Sequence, residues 1–547
     1  MQQNRDSGAG ARQHAAYALQ HLVSRALILI VLAVVSGMVP GQVSPAPTDT
    51  ASGREPDVVL EGVLQHADHQ TYRELAFELP PDISGLRVVF SHDRSAGTVI
   101  DLGLRDPERF RGWSGGNKQT FTVAENQATL SYLSGPLPAG IWHLLLGIPN
   151  IRVGVSTPYR AEIFFATGAG DREESAGAYE SAAAPEEAAA IIEGARWYRG
   201  DFHAHSGHSD GVCAGPADTR GPCPIARTLE AAATRGLDFV SLTEHNTRSH
   251  TQELAALQTG SQRMLVMSGV ELTTFSGHAN LLGDSGPFDF PAAARNLNRT
   301  FADWRAARGL VSVNHPGLPS DERCLGCGWT ASIDVRLIDA VEIVNGGVLR
   351  ATASAGEPAR ADVRFWESLL NAGHRVTGIG GSDNHDALLA GSEPSAIGRP
   401  TTVVFARSLS AQDVFDGVRD GRVFIDVEGT RDRLIDLTAV VTASVDGSRR
   451  VRAEMGDSLC VEKGAAIDLR VRAITATDDE VLIIQDGEVL GSVALTESVD
   501  GATARYRIHH GERDGWVRVE SRSSTGAARL LSNPIYLRCD RAYSPET

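Results

Sequence analysis

The fold of this chain is decided by one stretch, residues 201–211, which reads Asp201-Phe202-His203-Ala204-His205-Ser206-Gly207-His208-Ser209-Asp210-Gly211. It follows Trp197-Tyr198-Arg199-Gly200, a pattern typical of a β-strand that ends in a glycine-rich loop. Because side chains alternate along a strand, His203 and His205 point to the same face. The glycines in the loop allow it to bend back and bring Asp210 toward the two imidazoles. This group can bind a cation, and the alternative is an ordinary exposed polar loop.

Four further apolar runs end in histidine or carboxylate residues. They are residues 237–242, 264–270, 310–313 and 376–379, which are followed by His245, Glu271, His315, Asp383 and His385, with His278 shortly after Glu271. Helix-like segments at 225–236, 301–309 and 361–373 alternate with these runs, which predicts an α/β fold with parallel strands. The carboxyl ends of such strands converge, so we expect these residues to meet. The predicted metal ligands are His203, His205, Asp210, His245, Glu271, His278, His315, Asp383 and His385.

The order of these motifs resembles that of a known enzyme family. His-x-His…Ser-Asp-Gly, Thr-Glu-His-Asn, Gly-Val-Glu, Asn-His-Pro and Gly-Ser-Asp-Asn-His occur in this order within residues 196–430, as in the PHP (polymerase and histidinol phosphatase) metallohydrolases. The stretch Gly277-His278-Ala279-Asn280-Leu281-Leu282-Gly283 and the flanking β-rich regions are similar to the CehA/McbA-type branch. The chain departs from the pattern at Glu244, where many relatives carry Asp, and at Asn280, where many carry His.

This resemblance implies more about the fold than the residue pattern does. It implies a distorted (β/α)7 PHP barrel over residues 196–430, whereas periodicity alone indicates only the α/β class. It also implies that Glu271 is a carboxylate that bridges metal ions.

The ligand types indicate which metals the site would bind. Imidazole and carboxylate groups without thiolate suit Zn, Mn or Fe. A tetrahedral zinc has about four ligands, and the nine candidates exceed that number. We therefore predict two or three divalent metal ions. Such ions lower the pKa of a bound water from about 15.7 toward neutrality, and a metal-bound hydroxide is the predicted nucleophile.

Five residues are predicted to act on the substrate. Glu271, His385 and His208 are the candidate catalytic residues, and Arg399 and Asn246 are the candidate substrate-binding residues. His208, His385 and Asn246 could orient the substrate or supply a proton, and Arg399 could bind an anionic group. The alternative for each of these four is an ordinary loop residue or a group that supports a ligand.

Composition and charge exclude some partners and indicate a compartment. The formal charge of -17 over 547 residues argues against a nucleic-acid duplex as the main partner. Only two lysines occur, Lys118 and Lys463, and neither lies in the metal-motif region.

Residues 1–45 carry arginines before the apolar run 26–35, which predicts a signal peptide or an uncleaved N-terminal anchor. Both interpretations predict an extracytoplasmic protein, periplasmic or secreted, with no other contact to a membrane.

The six cysteines agree with an oxidising compartment. Their even number favours disulfides, with Cys460 paired to Cys539 and the remaining four paired locally or across. These four are Cys213, Cys223, Cys324 and Cys327. A four-cysteine zinc site is the alternative, although the spacing of the first pair is wide for a zinc knuckle.

Short alternating runs on both sides of the metal motifs predict two β-domains. We predict a β-sandwich or jelly roll at 55–168, a flexible linker at 169–195 and a C-terminal β-sandwich at 431–547. Trp113 and Tyr132 could be carbohydrate platforms in the first of these, although aromatic residues in a sandwich are more often core.

Together these features predict a secreted metal-dependent hydrolase. A phosphoesterase with a small phosphate ester as substrate is the first choice. A carboxyl or carbamate ester hydrolase is the alternative that the family resemblance implies, because a metal-bound hydroxide can attack either a phosphorus atom or a carbonyl carbon. An alternative of another class is a non-catalytic, metal-stabilised binding protein.

Overall fold

The computed structural model describes residues 54–167, 191–215, 219–257, 263–284, 286–322, 324–355, 361–441, 451–496, 501–511 and 513–538. The predicted leader at 1–45 and most of the predicted linker lie outside these ranges. No helix among the described residues is long and apolar enough to cross a membrane.

The N-terminal region is a sandwich of two antiparallel four-stranded sheets. Their orders are β1-β8-β3-β6 and β2-β7-β4-β5. The strands are β1 (Val58–Gln65), β2 (Thr71–Leu79), β3 (Gly85–His92), β4 (Val99–Arg105), β5 (Phe110–Gly115), β6 (Thr120–Ala124), β7 (Gly140–Asn150) and β8 (Ser156–Ala166). Alternate residues of β8 are buried between the sheets, as a half-buried strand requires. Trp113 and Tyr132 are only 2% and 3% exposed, so they are core residues and not carbohydrate platforms.

Strands and helices alternate in the central region. The strands are β9 (Glu193–Asp201), β10 (Val212–Ala214), β11 (Arg220–Pro222), β12 (Phe239–His245), β13 (Leu265–Thr274), β14 (Gly277–Leu282), β15 (Leu310–Asn314), β16 (Ala340–Asn345), β17 (Thr377–Gly381), β18 (Thr401–Ser408) and β19 (Val423–Asp426). The helices are α1 (Ile225–Arg235), α2 (His250–Leu257), α3 (Phe290–Arg295), α4 (Leu297–Ala306), α5 (Gly346–Ala355), α6 (Ala361–Asn371) and α7 (Ala411–Arg419). The three helices expected from the sequence are therefore present as α1, α4 and α6. Strand β9 begins inside the range predicted to be a flexible linker.

Seven strands of the large mixed sheet follow the order β17-β16-β15-β14-β13-β12-β9. All neighbouring pairs are parallel except those of β14, which is antiparallel to β13 and β15. The residues between β13 and β14, Phe275 and Ser276, are too few for a crossover, and so short a turn can join only antiparallel strands. The expectation of an all-parallel sheet was wrong at this strand.

The two end strands of this series meet at their carboxyl ends. Ala204, just after β9, forms a parallel bridge with Asn384, just after β17. The His205 amide donates to the Asn384 carbonyl at 2.9 Å, and the Asp383 amide donates to the His203 carbonyl at 2.8 Å. This junction brings the first and last predicted ligand motifs side by side.

The C-terminal strands divide between an extension of the large sheet and a second sheet. They are β20 (Leu434–Val441), β21 (Val451–Glu454), β22 (Ala466–Ile474), β23 (Glu480–Gln485), β24 (Glu488–Val493), β25 (Ala502–His509), β26 (Gly515–Arg522), β27 (Ala528–Ser532) and β28 (Ile535–Leu537). The sheet continues from β9 through β18-β19-β27-β26-β23-β24, and β28 pairs with β26. A second sheet, β21-β20-β22-β25, packs on this extension around a shared apolar core.

One apolar cluster connects all three regions. Trp113 of the N-terminal sandwich packs edge-on against Phe290 of α3, with ring centroids 4.7 Å apart. Trp366 of α6 lies 6.5 Å from Trp516 of β26. Burial of large aromatic side chains at these contacts fixes both β-regions against the central one.

Candidate metal centre

All nine predicted ligands lie at one end of the seven-strand series. Because the strands end there, their terminal side chains point into a common space. They form three groups, two of which share His205, and within each group the ligand atoms lie within 4.8 Å of one another. We name these the outer group (His205, Asp210, His245 and His385), the middle group (His203, His205 and Asp383) and the inner group (Glu271, His278 and His315).

Glu271 connects the inner group to the other two. Its Oε1 lies 3.3 Å from His278 Nδ1 and 3.4 Å from His315 Nε2. Its Oε2 lies 2.8 Å from His245 Nδ1 and 3.4 Å from His203 Nε2. The two carboxylate oxygens therefore face different groups, which is the arrangement of a bridging ligand.

His205 connects the middle and outer groups. Its Nε2 lies 3.1 Å from His203 Nε2 and 3.2 Å from Asp383 Oδ1. In the outer group, Asp210 Oδ1 lies 3.6 Å from His245 Nε2 and 3.3 Å from His385 Nε2. The glycine-rich loop does bend back, as the sequence predicts, and it brings Asp210 to the histidines.

Several buried atoms of the three groups have no hydrogen-bond partner among the described residues. They are Asp210 Oδ1, Glu271 Oε2, His315 Nδ1 and both ring nitrogens of His278. An unsatisfied buried polar atom costs about 1–3 kcal/mol of folding free energy. Five such atoms at one place therefore require a compensating interaction. The donor set of imidazole and carboxylate fits divalent cations, and its size and division into groups fit more than one.

The electrostatics favour ionised carboxylates in this space. Burial alone raises the pKa of Glu271, but the facing His203, His245 and His278 outweigh it and hold the pKa well below its ordinary value. Burial likewise raises the pKa of Asp383, and His203 and His205 bring it well below its ordinary value. Both acids are therefore anionic at neutral pH, the form that binds cations.

Solvent reaches the centre from the side of the outer group. The side chains of His385, Asp210 and His245 are 38%, 28% and 24% exposed, whereas that of Glu271 is 1% exposed. Of these four candidate ligands, His385 is the most exposed to solvent.

Local backbone strain also concentrates at this end of the strands. Asn246, His315 and Asp383 have φ angles of 54°, 28° and 50°, in the left-handed region that non-glycine residues seldom adopt. Each follows the end of a strand and turns the chain sharply at the site. Such strain persists only where the surrounding structure holds it, and it is frequent at functional sites.

His208 lies outside the three groups. Its Nδ1 is 2.8 Å from Ser249 Oγ, and its Nε2 is 2.9 Å from Glu253 Oε2. Both ring nitrogens therefore have partners in the protein, and the imidazole is buried. This geometry gives no support to the predicted catalytic role.

Replacing His208 by glutamine is expected to leave the bound metal unchanged and turnover within about threefold of the wild type, because the imidazole contacts no ligand. Metal analysis and steady-state kinetics would measure both. General acid or base catalysis contributes about 100-fold or more. A loss of that size at full metal content would instead support the catalytic role.

The two predicted substrate-binding residues also have partners within the protein. Asn246 Nδ2 donates to the Thr273 carbonyl at 3.0 Å, and Asn246 Oδ1 accepts from the Thr273 backbone amide at 2.8 Å. Arg399 donates to the Ser392 carbonyl, and none of the three groups contains it. Both polar atoms of the Asn246 side chain are therefore paired within the protein, and the substrate roles of Asn246 and Arg399 stay predictions.

The described cysteines form disulfides and not a thiolate metal site. Cys213 pairs with Cys223, and Cys324 pairs with Cys327. The first disulfide holds the hairpin of β10 and β11, where the Val212 amide donates to the His385 carbonyl at 2.8 Å. Cys460 is also disulfide-bonded, but its predicted partner Cys539 lies outside the described residues.

Comparison with known proteins yields no family assignment. No protein-family model and no curated protein matches the chain. Among solved structures, it is similar to a two-domain protein from Bacteroides vulgatus ATCC 8482 that contains a predicted PHP-like metal-dependent phosphoesterase. The identity is 19% over 66% of this chain and 100% of that chain, with a TM-score of 0.33. An engineered protein is 11% identical over 55% of this chain and 49% of that one, with a TM-score of 0.15. TM-scores this low establish no common fold.

Glu342 is a functional candidate that the sequence patterns missed. Its Oε1 lies 3.0 Å from His203 Nδ1, and its Oε2 accepts from Asn345 Nδ2 at 2.9 Å. A carboxylate at this position fixes the tautomer of the imidazole and leaves Nε2 available as a ligand. The signal was an acidic residue inside the apolar run 340–344, where a buried charge needs a partner.

Glu244, where the chain departs from the family pattern, hydrogen-bonds to the loop that carries Asp210. It is fully buried and accepts from the Ser206 amide at 3.0 Å and from the Ser206 hydroxyl at 2.5 Å. The Ser209 hydroxyl donates to its other oxygen. Its longer side chain therefore reaches the loop that carries Asp210 and contacts none of the three groups as a ligand.

The N-terminal sandwich also reaches the centre. Lys118 Nζ donates to the Ser209 carbonyl at 3.0 Å, although the lysine lies far from the metal motifs in sequence. Burial lowers the pKa of Lys118 to about 8, while Glu244 and Asp210 oppose that shift. Asp101, in β4 of the same sandwich, is also close to the centre. Burial raises the pKa of its carboxyl group to about 7, although the nearby His245 opposes this rise.

Proposed function

We propose that this chain is an extracytoplasmic PHP-type metal-dependent hydrolase, and that its substrate is a small phosphate ester. The observation that carries the proposal is the junction of three histidine and carboxylate groups through Glu271 and His205. The family resemblance of the motif order supports the phosphoesterase class and the assignment of the strands to a distorted (β/α)7 barrel. Two or three Zn, Mn or Fe ions are the proposed cofactors.

The proposed roles of the site residues follow from their positions. Bound divalent cations would acidify a water as nucleophile and polarise the oxygen of the ester. His205, a member of the middle and outer groups, and Glu271, whose two oxygens face histidines of different groups, would each serve as a ligand to more than one cation. Glu342 holds His203 in the tautomer that leaves Nε2 free.

His385 is the proposed contact between the centre and the leaving group. Its Nδ1 lies 2.9 Å from the Asp383 carbonyl, which orients the ring. Its exposure at the open side places it where a substrate arrives. We propose that it orients the substrate and, when it is not engaged as a ligand, donates a proton to the departing oxygen.

A substrate panel tests the proposal. Metal-reconstituted protein is expected to hydrolyse p-nitrophenyl phosphate or bis-p-nitrophenyl phosphate faster than an aryl ester or carbamate. His205→Ala and Asp383→Ala are each expected to lower turnover about 100-fold or more, because each removes a ligand. Preference for the carboxyl or carbamate substrate would favour the alternative hydrolase class. Stable metal binding without turnover of any substrate would favour the binding protein.

A further inference from the structure

Ser131 of the N-terminal sandwich lies at a junction between two loops that carry ligands of the outer group. Its hydroxyl donates to the His208 carbonyl at 2.6 Å, in the loop that leads to Asp210. Its carbonyl accepts from the Thr247 hydroxyl at 2.7 Å, and its amide donates to Ser249 Oγ at 3.1 Å. The second pair of contacts holds the loop that follows His245.

Lys118 completes this junction. Its ammonium group donates to Ser131 Oγ at 2.8 Å and to the Ser209 carbonyl at 3.0 Å. The carbonyls of both residues that precede Asp210 are therefore held from the sandwich, one by Ser131 and one by Lys118. At the end of this loop, the Gly211 amide donates to the Ser206 carbonyl at 2.8 Å, so the two contacts from the sandwich add to a hydrogen bond within the loop.

The backbone of Ser131 shows that this position is tightly determined. Its φ angle is 91°, and the residue is fully buried. A non-glycine residue in this region is strained, and it persists only where surrounding contacts fix it. Here the contacts run to both ligand-bearing loops.

We infer that the N-terminal sandwich completes the outer metal group, with Lys118 and Ser131 as positioning residues for Asp210 and His245. The inference rests on the metal centre of the proposed function. Neither residue contacts a ligand atom, and both act by fixing the backbone that carries one. The hydrogen bonds that Lys118 and Ser131 make to described residues reach none of the segments that carry the inner group, so the affinity of that group for metal should not depend on these two residues. The sandwich is thus part of the hydrolase centre and not a separate binding module.

The test compares metal retention in full-length variants. Wild type, Lys118→Met, Ser131→Gly and Arg105→Met would be loaded with Zn or Mn and dialysed against graded chelator, and the ions per chain counted by mass spectrometry. Arg105→Met is the matched control, because Arg105 links the same sandwich to Asp289 at 3.0 Å, away from the ligand loops. We expect Lys118→Met and Ser131→Gly to release one ion at about 10- to 100-fold lower chelator. The other ions should remain, and the control should match wild type.

Ser131→Gly separates positioning from folding. Glycine removes the hydroxyl but relieves the positive φ, so the unfolding temperature of the metal-free variant should equal or exceed that of the metal-free wild type, although the variant releases one ion more readily. Lys118→Arg should restore part of the metal retention, because it keeps a donor cation. Equal retention in Lys118→Met and wild type, or equal loss in the Arg105→Met control, would overturn the inference alone. A wild type that binds no metal would overturn the proposed function as well.

Discussion

Glu271→Gln is expected to lower kcat/KM about 1,000-fold or more and to reduce the number of ions bound per chain. The amide keeps the size of the side chain, so packing is preserved. It removes the negative charge that faces histidines of all three groups, within 3.5 Å of five ring nitrogens. It also leaves only one oxygen to accept or coordinate, so the two sides of the centre can no longer share this ligand.

Metal analysis together with steady-state kinetics would measure this effect. Glu342→Gln is the matched control, because Glu342 is equally buried but contacts only His203 among the candidate ligands. A supporting carboxylate of this kind is worth about 10- to 100-fold in metal affinity or activity. If Glu271→Gln retained full metal content and lost no more activity than Glu342→Gln, the bridging role would be wrong.

Removal of metal by a chelator is expected to lower the thermal unfolding temperature by about 5–10 °C. A ligand that binds only the folded state at 1,000 times its Kd stabilises that state by about 4 kcal/mol. In this chain, Glu271 Oε2, His315 Nδ1 and both ring nitrogens of His278 lack hydrogen-bond partners among the described residues, so the metal-free centre leaves the desolvation of these atoms uncompensated. Differential scanning calorimetry with and without chelator would measure the shift, and re-addition of metal should reverse it.

His205→Ala provides the comparison for this experiment. His205 belongs to the middle and outer groups but not to the inner group, so its loss should make the chelator-induced shift in unfolding temperature smaller than in the wild type without abolishing it. The His208→Gln protein should respond as the wild type does, because His208 is not in any group. An unfolding temperature that is independent of chelator in the wild type would contradict a metal-stabilised centre.

The two positioning effects proposed for this centre differ in kind. Glu342 acts through a direct hydrogen bond to a ligand ring, so its loss should change the middle group first. Lys118 and Ser131 act through the backbone of loops, so their loss should change the outer group first. Metal counting on the two sets of variants therefore distinguishes which cation position each part of the chain supports.

The sequence by itself determined the identity of the candidate ligands and their place at strand ends. His203 and His205 follow directly after the end of β9, His245 is the last residue of β12, and Asp383 comes two residues after β17. Glu271 is an exception, because β13 continues past it to Thr274. These are local properties, because strand geometry and burial are expressed in neighbouring residues. The helices α1, α4 and α6 were predictable for the same reason.

Only the tertiary structure decided how those ligands divide into groups and what supports them. His203 and Glu342 are 139 positions apart, and Lys118 and Ser209 are 91 positions apart, so no periodic pattern connects either pair. The reversed direction of β14 and the extension of the large sheet into the C-terminal region also depend on strand pairing between distant segments. Such contacts follow from the packing of whole sheets, in which burial of aromatic side chains selects one arrangement, and a single sequence carries no local mark of them.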